Sequence, residues 1–287
     1  MLAVEKVVTS KLLKQGTNKR IATVDRHLGV VSSGPRFPLT LQSPSSRASS
    51  LYRVPRKQAQ VADPMKQVYS GMVPDGRHFV DRARDEARAW RDTFKTPIPT
   101  ADLASRMGGY MQAYTLYQSV RPFGITAIVG GFDSELEAPV DGEVGHGPSV
   151  GAGGKAQGKT YGGPFLYMIE PSGLYWGYYG AATGKGRQSA KAELEKLDLN
   201  GDGAASLTLE QAVKEAARII YVAHDDSKDK DFELEMSWIS GSSGPTKGKH
   251  QEVPKALREE AERLAKKSLQ DSDDEDDEKK EDDKMEE

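Results

Sequence analysis

The sequence predicts a layered α+β protein. Two observations predict it. Along 287 residues the apolar spacing changes in blocks: strands, two helices, strands, two helices, a strand and a last helix. Helices therefore come in pairs, whereas a doubly wound parallel sheet needs single helices between its strands. A third observation narrows the class: no apolar run approaches the ~18 residues that a membrane span requires.

The elements follow in chain order. Leu2, Val4, Val7 and Val8 form a short apolar stretch that reads as a strand. Gln15-Gly16-Thr17-Asn18 supplies turn residues. Ile21 to Asp25 and His27 to Val31 then read as two strands hinged near Asp25 and Arg26. The spacing of Phe79, Ala83, Ala87, Trp90 and Phe94 predicts an amphipathic helix over 76–94. After Pro97 and Pro99, Thr100 is expected to cap a second helix. Its apolar side would carry Leu103, Met107, Tyr110, Met111, Tyr114 and Tyr117, a stripe read as core packing.

Gly124 to Val129 returns to strand, and the Gly-rich 135–164 reads as a long flexible loop. Phe165 to Ile169 and Leu174 to Tyr178, joined at Glu170-Pro-Ser-Gly173, make a hairpin. Helices are expected at about 184–197 and 207–224. Phe232, Leu234, Met236 and Trp238 alternate with polar residues as a half-buried strand does. A final helix over roughly 254–269 shows Leu257, Ala261, Leu264 and Ala265 on one face.

Two segments fall outside this pattern and explain the composition. Only 37% of residues are hydrophobic, below the ~45–50% of ordinary globular chains. Residues 271–287 hold twelve acids against three lysines, −9 in all. Residues 35–71 hold six basic residues and one acid, Asp63, for +5. The net charge of −3 is thus a cancellation around a body near neutrality. Such a body lacks the field to hold nucleic acid through its phosphates. The absence of cysteine excludes a disulfide scaffold and thiolate metal sites, and it fits a reducing compartment. Glu5 and Lys6 interrupt the start before a signal-peptide core could form.

Segment 35–71 is rich in Pro, Ser and Arg without an apolar period, and reads as a disordered insertion. Its borders, Val31-Ser-Ser-Gly34 and Val68-Tyr-Ser-Gly71, nearly repeat each other. Excising it would join the preceding strand directly to Met72.

Motifs with chemical meaning are few. Gly180-Ala-Ala-Thr-Gly184-Lys185-Gly186 sits where a phosphate loop would. It has three residues between its glycines instead of four, and Gly186 stands where a magnesium-binding hydroxyl is needed. It reads as a tight strand-to-helix entry. Asp198, Asn200, Asp202 and Gly203 open like a calcium loop. Position 12, which should be a bidentate carboxylate, is Leu209, and Thr208 with Gln211 marks a helix start there. His27, His78, His146, His224 and His250 form no pair at metal-ligand spacing, and each reads as a surface or satisfied core residue. Residues 225–231 read as a solvated turn. The residues alone define a folded domain without an evident active site, metal or cofactor.

Several stretches together resemble one family. Tyr114-Thr-Leu-Tyr117 followed by Arg121-Pro-Phe-Gly124 is similar to the helix-to-strand junction of proteasome alpha subunits. Tyr167 to Gly173 and Gly184 to Lys191 resemble that family's central hairpin and third helix. Ile219 to Asp225, Lys230 to Glu235, Ser237-Trp238 and the acidic tail after Ala265 to Leu269 resemble the seventh alpha-ring position in particular.

The resemblance implies a four-layer αββα sandwich of the N-terminal-nucleophile hydrolase type, with the first helix and strand missing before Leu2. Residues 1–34 would be N-terminal strands of the sandwich, 72–269 the remainder of the domain, and 270–287 an acidic disordered tail. The missing start and the 35–71 segment are expected to reflect an imperfect gene model, with a lost first exon and a translated intron.

The function implied is structural. Catalytic relatives use an N-terminal threonine; this chain begins Met1-Leu2, so a non-catalytic ring subunit is expected, with no catalytic residue. Its partners would be neighbouring alpha subunits, the beta ring and the C-terminal tails of regulatory-particle ATPases, in cytoplasm and nucleus, without nucleic acid or membrane. The pocket for those tails would use Arg20, where many relatives have Lys, with Gly34 or Gly71 at the strand end. Ser268 and Ser272, followed by acids, are expected phosphorylation sites of an acidophilic kinase. The alternatives are an active hydrolase of the same fold and a calcium-binding module at 198–210.

Overall fold

The computed structural model describes residues 1–7, 20–33, 38–41, 72–133, 163–184, 186–197, 199, 207–225, 232–241 and 244–269. The strands are β1 (Leu2–Val7), β2 (Ile21–Asp25), β3 (Leu28–Ser33), β4 (Pro38–Leu41), β5 (Thr126–Asp133), β6 (Gly163–Ile169), β7 (Tyr175–Gly177), β8 (Gly180–Ala182), β9 (Phe232–Trp238) and β10 (Gln251–Glu252). The helices are α1 (Val73–Phe94), α2 (Thr100–Ala113), α3 (Arg187–Glu195), α4 (Leu209–Asp225) and α5 over 255–269.

The strands form two five-stranded sheets, ordered β10-β9-β1-β4-β8 and β2-β3-β5-β6-β7. Every pairing given for them is antiparallel. Alternation along β1 shows how the layers arise. Leu2 and Val4 point into a core with Ala181 of their own sheet and Ile21, Ile128 and Leu166 of the other. Ala3, between them, faces Val213, Ala217 and Ile220 of α4. Helices α3, α4 and α5 cover that outer face, with Leu194, Ala261 and Ala265 buried against Leu234 and Met236. On the opposite side, α1 and α2 lay Phe79, Ala83, Leu103, Met107 and Met111 on Ala22, Val129 and Ile169. The result is a four-layer αββα sandwich with three cores. Phe79, Leu103, Met107 and Met111 are fully buried, each contributing ~1.5–3 kcal/mol relative to exposure.

Three expectations change. Thr100 does not cap α2; it is the first helical residue, and Pro99 holds the cap position without a side-chain cap bond. The acceptor comes instead from Asp133, at the end of β5. The Tyr/Met stripe is also shorter than its spacing suggests: α2 stops at Ala113, and Tyr117 is 65% exposed in the turn beyond. Third, segment 35–71 is not wholly a disordered insertion. Its residues 38–41 are β4, paired with β1 on one side and β8 on the other. A sheet interior is open to any short extended run that can complete the ladder, whatever the composition around it. Residues 135–162 of the expected loop lie outside the described residues, while Gly163 and Pro164 open β6.

Candidate functional site

A cleft of about 300 Å³ lies where the first turn of α1 meets the segment following α2; Asp75, His78, Tyr114, Val120, Arg121 and Phe123 line it. The Arg121-Pro-Phe-Gly124 motif builds its floor. The Arg121 guanidinium donates from both terminal nitrogens to the two Asp75 carboxylate oxygens, each at 2.7 Å. Asp75 Oδ2 also accepts the Gly124 N–H at 3.0 Å, and Gly124 O accepts the Met72 N–H at 3.2 Å. The hydrogen bond from Arg121 holds the Asp75 carboxyl below the usual range. This fork is what the motif's Arg is for, because Lys cannot donate two parallel bonds.

One wall is aromatic. The His78 ring stacks on Phe123, 6.0 Å between centroids and 10° between planes. Its Nε2 lies 2.6 Å from the Tyr110 hydroxyl, which lies 3.0 Å from that of Tyr114. Arg82 sits 5.0 Å over the Tyr110 ring. Burial and the Tyr114 hydroxyl push the Tyr110 phenol up to about 12, so it stays protonated at physiological pH. The carboxylate and guanidinium bond to each other, the tyrosine hydroxyls bond to each other and to His78, and Val120 and Tyr114 present the apolar opening. Chemically this suits an apolar side chain of a protein partner better than a proton-transfer reaction.

A histidine–hydroxyl constellation also occurs, but between the two sheets. His250 Nδ1 lies 2.8 Å from Thr23 Oγ1 on β2, and Nε2 lies 2.9 Å from Ser237 Oγ on β9. Burial pushes its pKa down to about 4, so the ring is neutral near pH 7. It donates to one hydroxyl and accepts from the other, which ties the two sheets together. His27 Nε2 donates to the Ile98 carbonyl at 2.9 Å, and His224 Nδ1 faces the buried Glu5 carboxylate at 3.2 Å. Sequence spacing missed these partners because they are far apart in the chain, Thr23 and His250 by 227 residues. Among the described residues no group of three His, Asp or Glu side chains could hold a metal ion.

Large apolar side chains nevertheless remain on the surface. Leu174, Tyr175, Trp176 and Tyr179 are exposed at or beside β7, the edge strand of its sheet, and Leu116, Tyr117 and Val120 beside the cleft. Apolar patches of this kind mark surfaces that meet other proteins.

The comparisons give this surface a context. The family model described as "Proteasome subunit" matches residues 42–140 and 153–239. A probable proteasome subunit alpha type-7 of Saccharomyces cerevisiae is 43% identical over 274 residues, covering 95% of this chain and 71% of that protein. The chain belongs to the proteasome subunit family.

Its Schizosaccharomyces pombe relative, also named probable proteasome subunit alpha type-7, is 41% identical over 93% of this chain and 77% of its own length. The proteasome subunit alpha type-3 of Acanthamoeba castellanii is 39% identical over 95% and 80%. The family match runs through 42–71, residues that the sequence assigned to an insertion.

The structure of this proteasome-family chain places the expected site residues unevenly. Arg20 is half-buried at the start of β2, and its backbone N–H donates to Glu235 Oε2 on β9 at 2.9 Å. Gly34, Gly71 and Ser272 lie outside the described residues. Ser268 is exposed in the last turn of α5, where its hydroxyl donates to the Ala265 carbonyl at 2.8 Å. The calcium-like loop lies mostly outside the described residues. Its far end is the expected capping box: Thr208 N–H donates to Gln211 Oε1 at 2.8 Å, and Gln211 N–H to Thr208 Oγ1 at 3.2 Å. That box fixes Leu209 as the first residue of α4, at the twelfth loop position.

Proposed function

We propose that this chain works as a non-catalytic structural subunit of a proteasome alpha ring, at the seventh or type-3 position. The observation that carries the reading is the exposed aromatic edge at β7, with Trp176 59% and Tyr179 56% exposed. A protein that acts alone gains nothing from such an edge; a ring subunit covers it with a neighbour. The alpha-type names of its relatives support the same reading. The His250 and His27 constellations fit it too, since they serve as clamps between layers.

Further features belong to the proposal. Neighbouring alpha subunits and the beta ring would be partners of the chain. C-terminal tails of regulatory ATPases would dock near Arg20, Gly34 and Gly71, with the Arg20 guanidinium pairing the terminal carboxylate. The tail serines Ser268 and Ser272 would accept phosphate and strengthen contacts with basic regulator surfaces. Cytoplasm and nucleus are the proposed locations; no helix among the described residues is long and apolar enough to cross a membrane.

Native mass spectrometry of the tagged chain expressed with its paralogues tests the reading. Incorporation into a particle of paralogous chains is expected, without labelling of this chain by threonine-directed electrophiles. A free monomer, or covalent labelling of this chain, overturns it. Loss of binding of an ATPase tail peptide in Arg20→Ala particles, on the order of tenfold, checks the pocket separately.

A further inference from the structure

We infer that Arg84 and Glu235 seal the β2 edge of the second sheet, so that a second copy of this chain cannot add a strand there. An edge strand offers a row of backbone N–H and C=O groups to any strand that meets it, which makes it a template for self-association. The second sheet has two such ends, β2 and β7, and among the described strands β2 pairs only with β3. The β7 edge of one copy laid on the β2 edge of the next would join unlike surfaces, the kind of contact that propagates from copy to copy.

Arg84 is an unusual residue for its place. It stands one turn after Val80 and one turn before Ala87 on α1, and all three are buried, Arg84 at 5% exposure. A buried charge stabilises a fold no better than an apolar side chain of the same volume. What the guanidinium adds is a directed set of donors. Nε and Nη2 both donate to the Thr23 carbonyl on β2, at 3.3 and 3.4 Å. Nη1 donates to Asp81 Oδ1 at 2.8 Å, one turn back on α1. The guanidinium therefore occupies the acceptor that an incoming strand would use.

Glu235 covers the opposite polarity. From β9 in the first sheet, its Oε2 accepts the Arg20 N–H at 2.9 Å and its Oε1 accepts the Ile21 N–H at 3.4 Å. Ile21 and Thr23 are two residues apart, so their backbone groups point to the same side of an antiparallel edge strand. Just past the strand, the Arg26 carbonyl accepts the His250 N–H at 2.8 Å. The register of β2 on β3 also shifts between Thr23 and Asp25, and such a bulge bends an edge away from regular pairing. Donors, acceptors and shape of this edge are thus taken up by α1, β9 and the residue before β10.

Sedimentation velocity and hydrogen exchange of the full chain, expressed without its paralogues, test the seal. Arg84→Met keeps the volume and removes the donors. It should self-associate about tenfold more tightly than the parent, with amides 21–25 protected in the associated form and exchanging faster on dilution. Glu235→Ala strips both acceptors at a half-buried position, where truncation leaves the core intact, and should associate in the same way. It reads the seal independently of whether Arg84→Met folds. A cooperatively melting Arg84→Met or Glu235→Ala chain that sediments as the parent does at every concentration overturns the inference. So does association that leaves the exchange of amides 21–25 unchanged.

Discussion

The carboxylate of Asp133, the last residue of β5, accepts both hydrogen bonds that Thr100 offers at the first turn of α2. The Thr100 N–H reaches Oδ2 at 2.9 Å and its hydroxyl reaches Oδ1 at 2.7 Å. Both residues are completely buried. A helix start leaves backbone donors without partners inside the helix, and here a strand of the adjacent layer supplies the acceptor. The negative charge also sits at the positive end of the helix dipole. One side chain thus fixes where α2 begins and how it lies on its sheet.

Asp133→Ala should therefore destabilise the fold by about 2–4 kcal/mol, because it strands a buried N–H and a buried hydroxyl together. Thr100→Ser keeps both donors and should recover most of the loss that Thr100→Val causes. Urea unfolding of the variants measures it. A cost under about 0.5 kcal/mol for Asp133→Ala would mean that water or another group replaces the carboxylate.

His250 gives a pH dependence with a definite sign. Burial lowers its pKa to about 4 from the ordinary 6.5, with Glu252 opposing the shift. The unfolded chain binds the proton more tightly, so acid favours unfolding. Stability from this site is complete above about pH 6.5 and falls as pH drops toward about 4, by on the order of 3 kcal/mol across that window. His250→Gln should flatten this part of the stability profile. A parent profile with no slope between pH 6.5 and 4.5 would contradict the assignment.

The hairpin turn before β7 depends on a glycine. Gly173 has φ +89°, and an added Cβ would lie 2.5 Å from Gln112 Cβ and 2.6 Å from the Gly108 carbonyl on α2. Gly173→Ala meets both a left-handed backbone and rigid neighbours, and should cost about 2–4 kcal/mol. Because the turn positions the exposed edge at Trp176, ring incorporation should fall along with the melting midpoint. Differential scanning fluorimetry and native mass spectrometry read the two effects.

What the sequence made legible follows from local physics. The alternation at Phe232 to Trp238 and the spacing of Phe79, Ala83 and Ala87 report a buried face directly, and those elements appear where expected. The capping box at Thr208 and Gln211 is equally local. Nonlocal pairing is different. Nothing around Asp133 signals that it caps a helix 33 residues earlier. Composition made 35–71 look separable, yet a strand needs only a few residues and two waiting edges, as 38–41 shows. In the cleft, the Arg121-Pro-Phe-Gly124 motif was visible, but Asp75, its partner 46 residues away, was not.

That partnership yields the last prediction. Arg121 holds the Asp75 carboxyl below the ordinary range chiefly through its hydrogen bonds, with Gly124 N–H adding to the effect. A carboxylate whose folded pKa is depressed contributes stability above its unfolded pKa and loses it as pH falls through the folded one. The contribution should thus be complete above about pH 4 and fall away progressively as the pH drops below it toward the depressed folded value. Arg121→Lys keeps a charge but not the planar fork. The Asp75 carboxyl resonance should then titrate closer to the ordinary range, and the acid unfolding limb should lose part of its slope. Asp75→Asn should remove that slope and leave His78 stacked on Phe123, since the stack rests on the rings alone. A carbon-detected titration of Asp75 that does not move in Arg121→Lys would show that the Gly124 N–H, not the fork, sets the carboxyl's affinity for protons.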